Sequence, residues 1–223
     1  MNIDQWQSLS EDQFLNLEQI QKEYQKGMLA LNSLGPRTVT FYGGAKVEQG
    51  SQLYHNIFQL AQEFGRRGWG VITGGGPGIM SAALEGVRSG GGQAIAFRIN
   101  IPGEPSLTPT DVELNFNYFS VRKYMLRQSD IFIYAPGGLG TLDELMENLT
   151  LIKTQKYPAK PIFLYDKVFW EGCVEWFRDM LLERKLIQED FLNLFQIVDN
   201  NQSVIDKIFA ETPSHSSLSQ NTD

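Results

Sequence analysis

The run Pro136-Gly137-Gly138-Leu139-Gly140-Thr141-Leu142-Asp143-Glu144 concentrates the residue types that hold an anion. It follows an apolar stretch, Ile131-Phe132-Ile133-Tyr134, and opens onto a segment with helical periodicity. Glycines let the backbone turn tightly and let a ligand come close to it. A helix start offers free N–H groups and a partial positive charge. Thr141 adds a hydroxyl. A phosphate is the simplest ligand for such a turn, and the coincidence of these features favours it over an empty strand–helix turn. No Gly-Lys-Ser/Thr follows, so this is not a Walker loop. Asp143 occupies the third glycine position of a dinucleotide fingerprint, and Ile79 does the same in the second cluster, Gly74-Gly75-Gly76-Pro77-Gly78. A dinucleotide cofactor therefore has no direct support, although that second cluster is another loop where a ligand can touch backbone.

Glu144 stands one helical turn into the segment. A carboxylate beside a phosphate turn opposes phosphate affinity. It makes sense facing a sugar, where it stabilises an oxocarbenium-like centre or activates water. Ordinary acidic enrichment in a first helical turn explains it equally well, and explains Asp143 and Glu147 better. Arg122 reads either as a partner for phosphate or Glu144, or as part of a solvated helix face; Arg127 reads as solvated face. His55 and His215 are the two histidines, and no His/Cys/Asp cluster has metal-ligand spacing. Cys173 reads as a packed thiol, and Trp170, Trp176 and Phe177 as core or subunit interface.

These residues need a scaffold. Apolar stretches at 38–42, 70–73, 94–97, 131–134, 161–165 and 196–198 read as strands. Helical patterns at 51–67, 79–87, 119–128, 138–154, 168–184 and 201–210 separate them. Residues 99–110 are proline-rich and read as irregular. The expected fold is α/β, a Rossmann-like doubly wound parallel sheet with an N-terminal helical extension. Such sheets bind ligands at the carboxyl ends of their strands, where Gly43-Gly44, Gly74–Gly78 and Pro136–Gly140 fall. Residues 1–35 form the extension: Ser10 to Gln13 is a capping box, and Phe14, Leu17, Ile20, Tyr24, Met28 and Leu31 make an apolar stripe. That stripe must pack on the domain body or on a partner. Residues 36–211 are the domain, and the Ser/Thr/Asn-rich 212–223 reads as a disordered tail.

The chain has 223 residues, one cysteine and a formal net charge of -7. The charge argues against a nucleic-acid-binding surface. One cysteine rules out an internal disulfide framework and fits a reducing compartment. No signal-peptide pattern and no run of about 18 apolar residues appears. The expected setting is the cytoplasm, without a membrane partner.

The nine-residue run also resembles the Pro-Gly-Gly-x-Gly-Thr-x-x-Glu signature of the Lonely Guy family. Gly74-Gly75-Gly76-Pro77-Gly78-Ile79-Met80 resembles its second glycine turn, and Phe119-Ser120-Val121-Arg122-Lys123-Tyr124-Met125 its Arg-Lys element. Those proteins are cytokinin riboside 5'-monophosphate phosphoribohydrolases, long labelled lysine decarboxylases. The resemblance implies hydrolysis of an adenosine-type 5'-monophosphate to free base and ribose 5-phosphate. Arg122 and Glu144 match the catalytic pair, Gly138, Gly140 and Thr141 the phosphate cradle, and Lys123 a substrate contact. Gly43, Gly75, Gly76, Pro136, Gly137 and Leu139 complete the expected binding surface. No cofactor or metal is implied, and a homodimer or larger homo-oligomer is. The family often carries Gly-Ser-Ser after its first strand; here Gly43-Gly44-Ala45 lacks both hydroxyls. That leaves room for an alternative, a non-catalytic carrier of a nucleotide or of a molybdenum cofactor. A third reading makes the N-terminal helix a recruiter of some partner. A lysine decarboxylase needs a lysine Schiff base to pyridoxal phosphate, and no lysine is marked for that role.

Overall fold

The computed structural model describes residues 16–100 and 108–209. The capping box at Ser10 and the tail from 212 lie outside these residues. A helix, α1 (Leu17–Asn32), leads into β1 (Thr38–Tyr42), α2 (Gln52–Arg66), β2 (Gly70–Thr73) and α3 (Ile79–Ser89). The chain continues through β3 (Ala94–Ile99), β4 (Val112–Phe116), α4 (Phe119–Leu126) and β5 (Ile131–Tyr134). It closes with α5 (Leu139–Lys153), β6 (Ile162–Tyr165), α6 (Lys167–Trp176), β7 (Gln196–Val198) and α7 (Asn201–Phe209).

The seven strands pair in the order β4-β3-β2-β1-β5-β6-β7, all parallel. Successive strand residues feed two cores. Val39, Phe41, Val71, Ile131 and Ile133 face α2, α3 and α7. Tyr42, Ile72, Phe132 and Tyr134 face α4, α5 and α6. Both faces are covered, so the strands read as continuous apolar runs.

Three sequence expectations change. Val112-Glu113-Leu114-Asn115-Phe116 is a seventh strand, not anticipated because its edge position leaves alternate residues polar. The helix expected over 168–184 stops at Trp176 and continues as a π turn over Phe177–Leu182. The N-terminal helix packs on the body, with Ile20, Tyr24 and Leu31 against the second core. Leu17 and Met28, expected in its buried stripe, are exposed, while Glu23 and Gly27 are buried.

Candidate functional site

The chain runs outward from β1 to β4 and then returns to β5 on the other side of β1. Ligands collect at the strand ends where the order reverses. Three glycine turns meet there. The Gly44 N–H donates to the Pro136 carbonyl at 2.9 Å, and the Ile79 N–H donates to the Gly44 carbonyl at 3.1 Å. The turn after β1 thus joins the turns after β5 and β2. Above them lies a cavity of about 880 Å³, in the range of small-ligand sites.

Helix α5 starts at the cavity floor. No side chain caps it at Gly138. Its first N–H groups have no intrahelical partner and point out of the helix start, as an anion site requires. Three glycines in this turn serve different ends. A Cβ on Gly137 would sit 2.2 Å from Thr141 Oγ1, so glycine is needed there for packing. A Cβ on Gly138 or Gly140 would meet nothing within 4 Å, so the space above them is open. This contrast gives a paired prediction. Gly137→Ala should lower thermal stability by about 1–3 kcal/mol through overpacking. Gly138→Ala should melt like the parent yet bind inorganic phosphate or AMP at least about tenfold more weakly. Calorimetric titration and melting curves read both; equal binding by Gly138→Ala removes the turn from the anion site.

Glu144 lies one turn further along α5, and Arg122 comes from α4. Arg122 Nη2 donates to Glu144 Oε1 at 2.9 Å, with the two side chains 14% and 11% exposed. Burial pushes the Glu144 carboxyl up to about 7, against the lowering pull of Arg122. Arg122 Nε has no hydrogen-bond partner among the described residues. Its guanidinium lies 5.3 Å from the centre of the Phe119 ring. Beneath the pair, the Asn148 amide donates to the Tyr134 hydroxyl at 2.7 Å, and Tyr134 stacks on Tyr42.

The remaining charges form a ladder between α4 and α5. Lys123 Nζ lies 3.0 Å from Asp143 and 2.7 Å from Glu147, and Arg127 Nη1 lies 2.7 Å from Glu147. Arg127 is 11% exposed, so it is an interhelical partner and not the solvated face expected of it. The ladder joins the same two helices that carry Arg122 and Glu144.

The cavity gathers Gly43, Gly76, Pro136, Gly137 and Gly138, with Gly140, Thr141, Arg122 and Glu144. Gly75, Lys123 and Leu139 do not line it. Gly75 has positive φ and packs beneath Arg98, Lys123 is spent on the ladder, and Leu139 is exposed to solvent. Sequence reading missed a polar arm formed by Arg98, Asn100, Glu113 and Asn115, and two aromatic walls, Phe119 and Phe169. The arm is built where β3 and β4 end together, so it was hidden with β4. Period-two alternation at 112–116 was the available signal.

A sequence profile described as "Possible lysine decarboxylase" matches residues 80–208. A rice protein (Oryza sativa subsp. japonica) named "Probable cytokinin riboside 5'-monophosphate phosphoribohydrolase" is 28% identical over 185 residues, 80% of this chain and 86% of its own. The Mycobacterium tuberculosis cytokinin riboside 5'-monophosphate phosphoribohydrolase is 29% identical over 177 residues, 74% of this chain and 90% of its own. Among solved structures, the molybdenum cofactor binding protein of Rippkaea orientalis superposes with a TM-score of 0.56 at 24% identity, covering 80% of this chain and 98% of that one. The molybdenum cofactor carrier protein of Chlamydomonas reinhardtii gives 0.56 at 18%, covering 77% and 95%. At these identities the two structures share the fold.

Proposed function

Because this chain belongs to the Lonely Guy family, whose profile carries the description "Possible lysine decarboxylase", we propose that it hydrolyses the N-glycosidic bond of adenosine-type nucleoside 5'-monophosphates. The observation that carries this reading is the buried Arg122–Glu144 pair, one helical turn from an uncapped helix start. The helix start holds the 5'-phosphate at Gly138–Thr141. The ribose then lies over Glu144. As the C1'–N bond breaks, its electron pair leaves with the base and positive charge develops on the sugar. Glu144 stabilises that charge and takes a proton from the attacking water, whose oxygen bonds to C1'. The base gains a proton, and ribose 5-phosphate and free base result. The polar arm and the Phe119 and Phe169 walls are left to hold the base.

A decarboxylase fits the cavity less well. That chemistry needs a lysine held for a Schiff base to pyridoxal phosphate. The lysine lining the cavity, Lys46, is exposed at its rim. Lys123 is committed to Asp143 and Glu147.

The deciding experiment is incubation with a panel of purine and pyrimidine monophosphates, including AMP and isopentenyl-AMP, followed by chromatography for free base. Base release is expected from adenine nucleotides. No release from any member would overturn the reading, and a co-purified ligand recovered intact would favour a carrier. The Gly44-Ala45 pair offers no hydroxyl to the substrate, so the panel also decides the base. Glu144 gives a second test. Its ionised form does the work, so kcat/KM should rise with pH through about 7. A profile flat from roughly pH 5.5 to 8.5 would remove it from the rate-determining step.

We further propose a homodimer. Phe119, which lines the cavity, and Leu139 and Val168, each next in sequence to a lining residue, are exposed apolar side chains of the kind an interface covers. Light scattering at the mass of a monomer would count against it. No helix among the described residues is long and apolar enough to cross a membrane.

A further inference from the structure

We propose that Glu23, on the N-terminal helix, is a positioning residue that holds the start of α4 and so sets Arg122 against Glu144. This deepens the phosphoribohydrolase reading and rests on it for the part played by the Arg122–Glu144 pair.

Helix α4 is eight residues long and has no side-chain cap of its own at Tyr118. Short helices are marginal unless their ends are satisfied. Here the cap comes from α1. Glu23 Oε1 accepts from the Asn117 backbone N–H at 3.1 Å and from the Asn117 amide at 2.7 Å. Oε2 accepts from the backbone N–H groups of Asn117 at 3.2 Å and Tyr118 at 3.4 Å. The Gln19 amide adds a donor at 2.9 Å. Glu23 is only 3% exposed, and among the described residues no lysine or arginine pairs with it. A buried carboxylate without a counter-ion is costly unless hydrogen bonds satisfy it. This position lies on the face of α1 that packs on the core, where an apolar side chain would suit simple packing. Its gain is local, at the helix start, where negative charge is favoured.

Three further contacts carry the constraint toward the site. The α1 backbone lies close on α4 at Gly27, where a Cβ would come within 2.6 Å of Met125. Tyr24 meets Tyr124 edge-on at 5.3 Å. The Arg122 N–H donates to the Tyr118 carbonyl at 3.1 Å, so the capped residue is also the anchor of Arg122. Phe119, next in sequence, supports the guanidinium. Asn117 reaches the cavity by a second route: its side-chain oxygen accepts from the amide of Asn100, a lining residue, at 2.7 Å. Releasing Glu23 frees the first turn of α4 and lets Arg122 shift.

The groups facing Glu144 are Arg122 and Lys123 from α4, Asp143 on its own helix, and Tyr42 and Tyr134 from the sheet. Of these, Arg122 is the charge-paired partner. A shift of Arg122 therefore moves the Glu144 titration upward. The test uses the full chain with 13C-labelled glutamate carboxyls, the Glu144 signal being assigned by its loss in Glu144→Gln. Glu23→Gln keeps size and shape but turns an amide toward N–H donors. In Glu23→Gln that still melts cooperatively, the Glu144 titration should rise by about half a unit or more. With AMP, kcat should fall about tenfold to a hundredfold, with KM changed less than about threefold. Glu23→Asp, which keeps the charge, should recover part of both. An unmoved Glu144 titration in folded Glu23→Gln overturns the proposal, whatever the activity. A moved titration in a protein that cleaves no monophosphate upholds the positioning role and refutes the glycosidase reading instead.

Discussion

Glu144→Gln should cut turnover of a monophosphate substrate by about a thousandfold while making the protein more stable above neutral pH. The two effects have one cause. Burial raises the carboxyl from 4.5 to about 7. Below pH 4.5 the group is protonated in both the folded and the unfolded chain, and it costs nothing. Between there and about 7 the unfolded chain ionises while the folded one holds its proton, so stability falls. Above 7 the deficit levels off on the order of 3 kcal/mol, 1.36 kcal/mol for each unit of the shift. Glutamine is the shape of the protonated acid and keeps an oxygen for Arg122 Nη2. It should remove most of that deficit at pH 8 and change little at pH 4. Thermal melts at both values check the sign, with a rise of several degrees expected at pH 8. AMP binding should persist within about threefold, because the phosphate is held by the helix start. A variant less stable than the parent at pH 8 would show that the ionised pair is net stabilising, and the strain assigned to Glu144 would be absent.

What the sequence disclosed follows the range of the interactions. The central strands are buried on both faces, so they appear as short apolar runs bounded by glycine. The glycine turn is local: Pro136 to Thr141 builds a helix start with no side-chain cap within one strand–helix corner. The residues around Glu144 left its role open, and the family resemblance alone paired it with Arg122. Its partner lies 22 residues earlier, and the contact between them forms only where α4 packs against α5. Arg127 misled for the same reason, since nothing in its neighbourhood announces Glu147 across the helix pair. β4 is an edge strand whose polar residues face the cavity, so its function blurred its pattern. Glu23 was the least legible. On an amphipathic helix a glutamate reads as a solvated position, and only the packing of α1 turns it inward onto Asn117 and Tyr118.

Arg122 should prove inseparable from Glu144. Replacing Arg122 by Ala leaves the Glu144 carboxylate buried with no paired cation. Its pKa then moves further above 7, and at neutral pH the acid stays protonated and unable to take a proton from water. Turnover at pH 7 should fall about a hundredfold to a thousandfold, with part of it recovered as the pH is raised toward 9. Arg122→Lys should not rescue it. The guanidinium donates Nη2 to Glu144 on one side and lies 5.3 Å from the centre of the Phe119 ring on the other. An ammonium is a single point charge on a shorter fork and cannot serve both directions. The decisive measurement is the cycle of Arg122→Ala, Glu144→Gln and the double variant. If the two act as a unit, the double variant should be no slower than the slower single one, within about threefold. Losses that multiply would mean that Arg122 binds phosphate independently, and that Glu144 does its chemistry without the partner the fold brings to 2.9 Å.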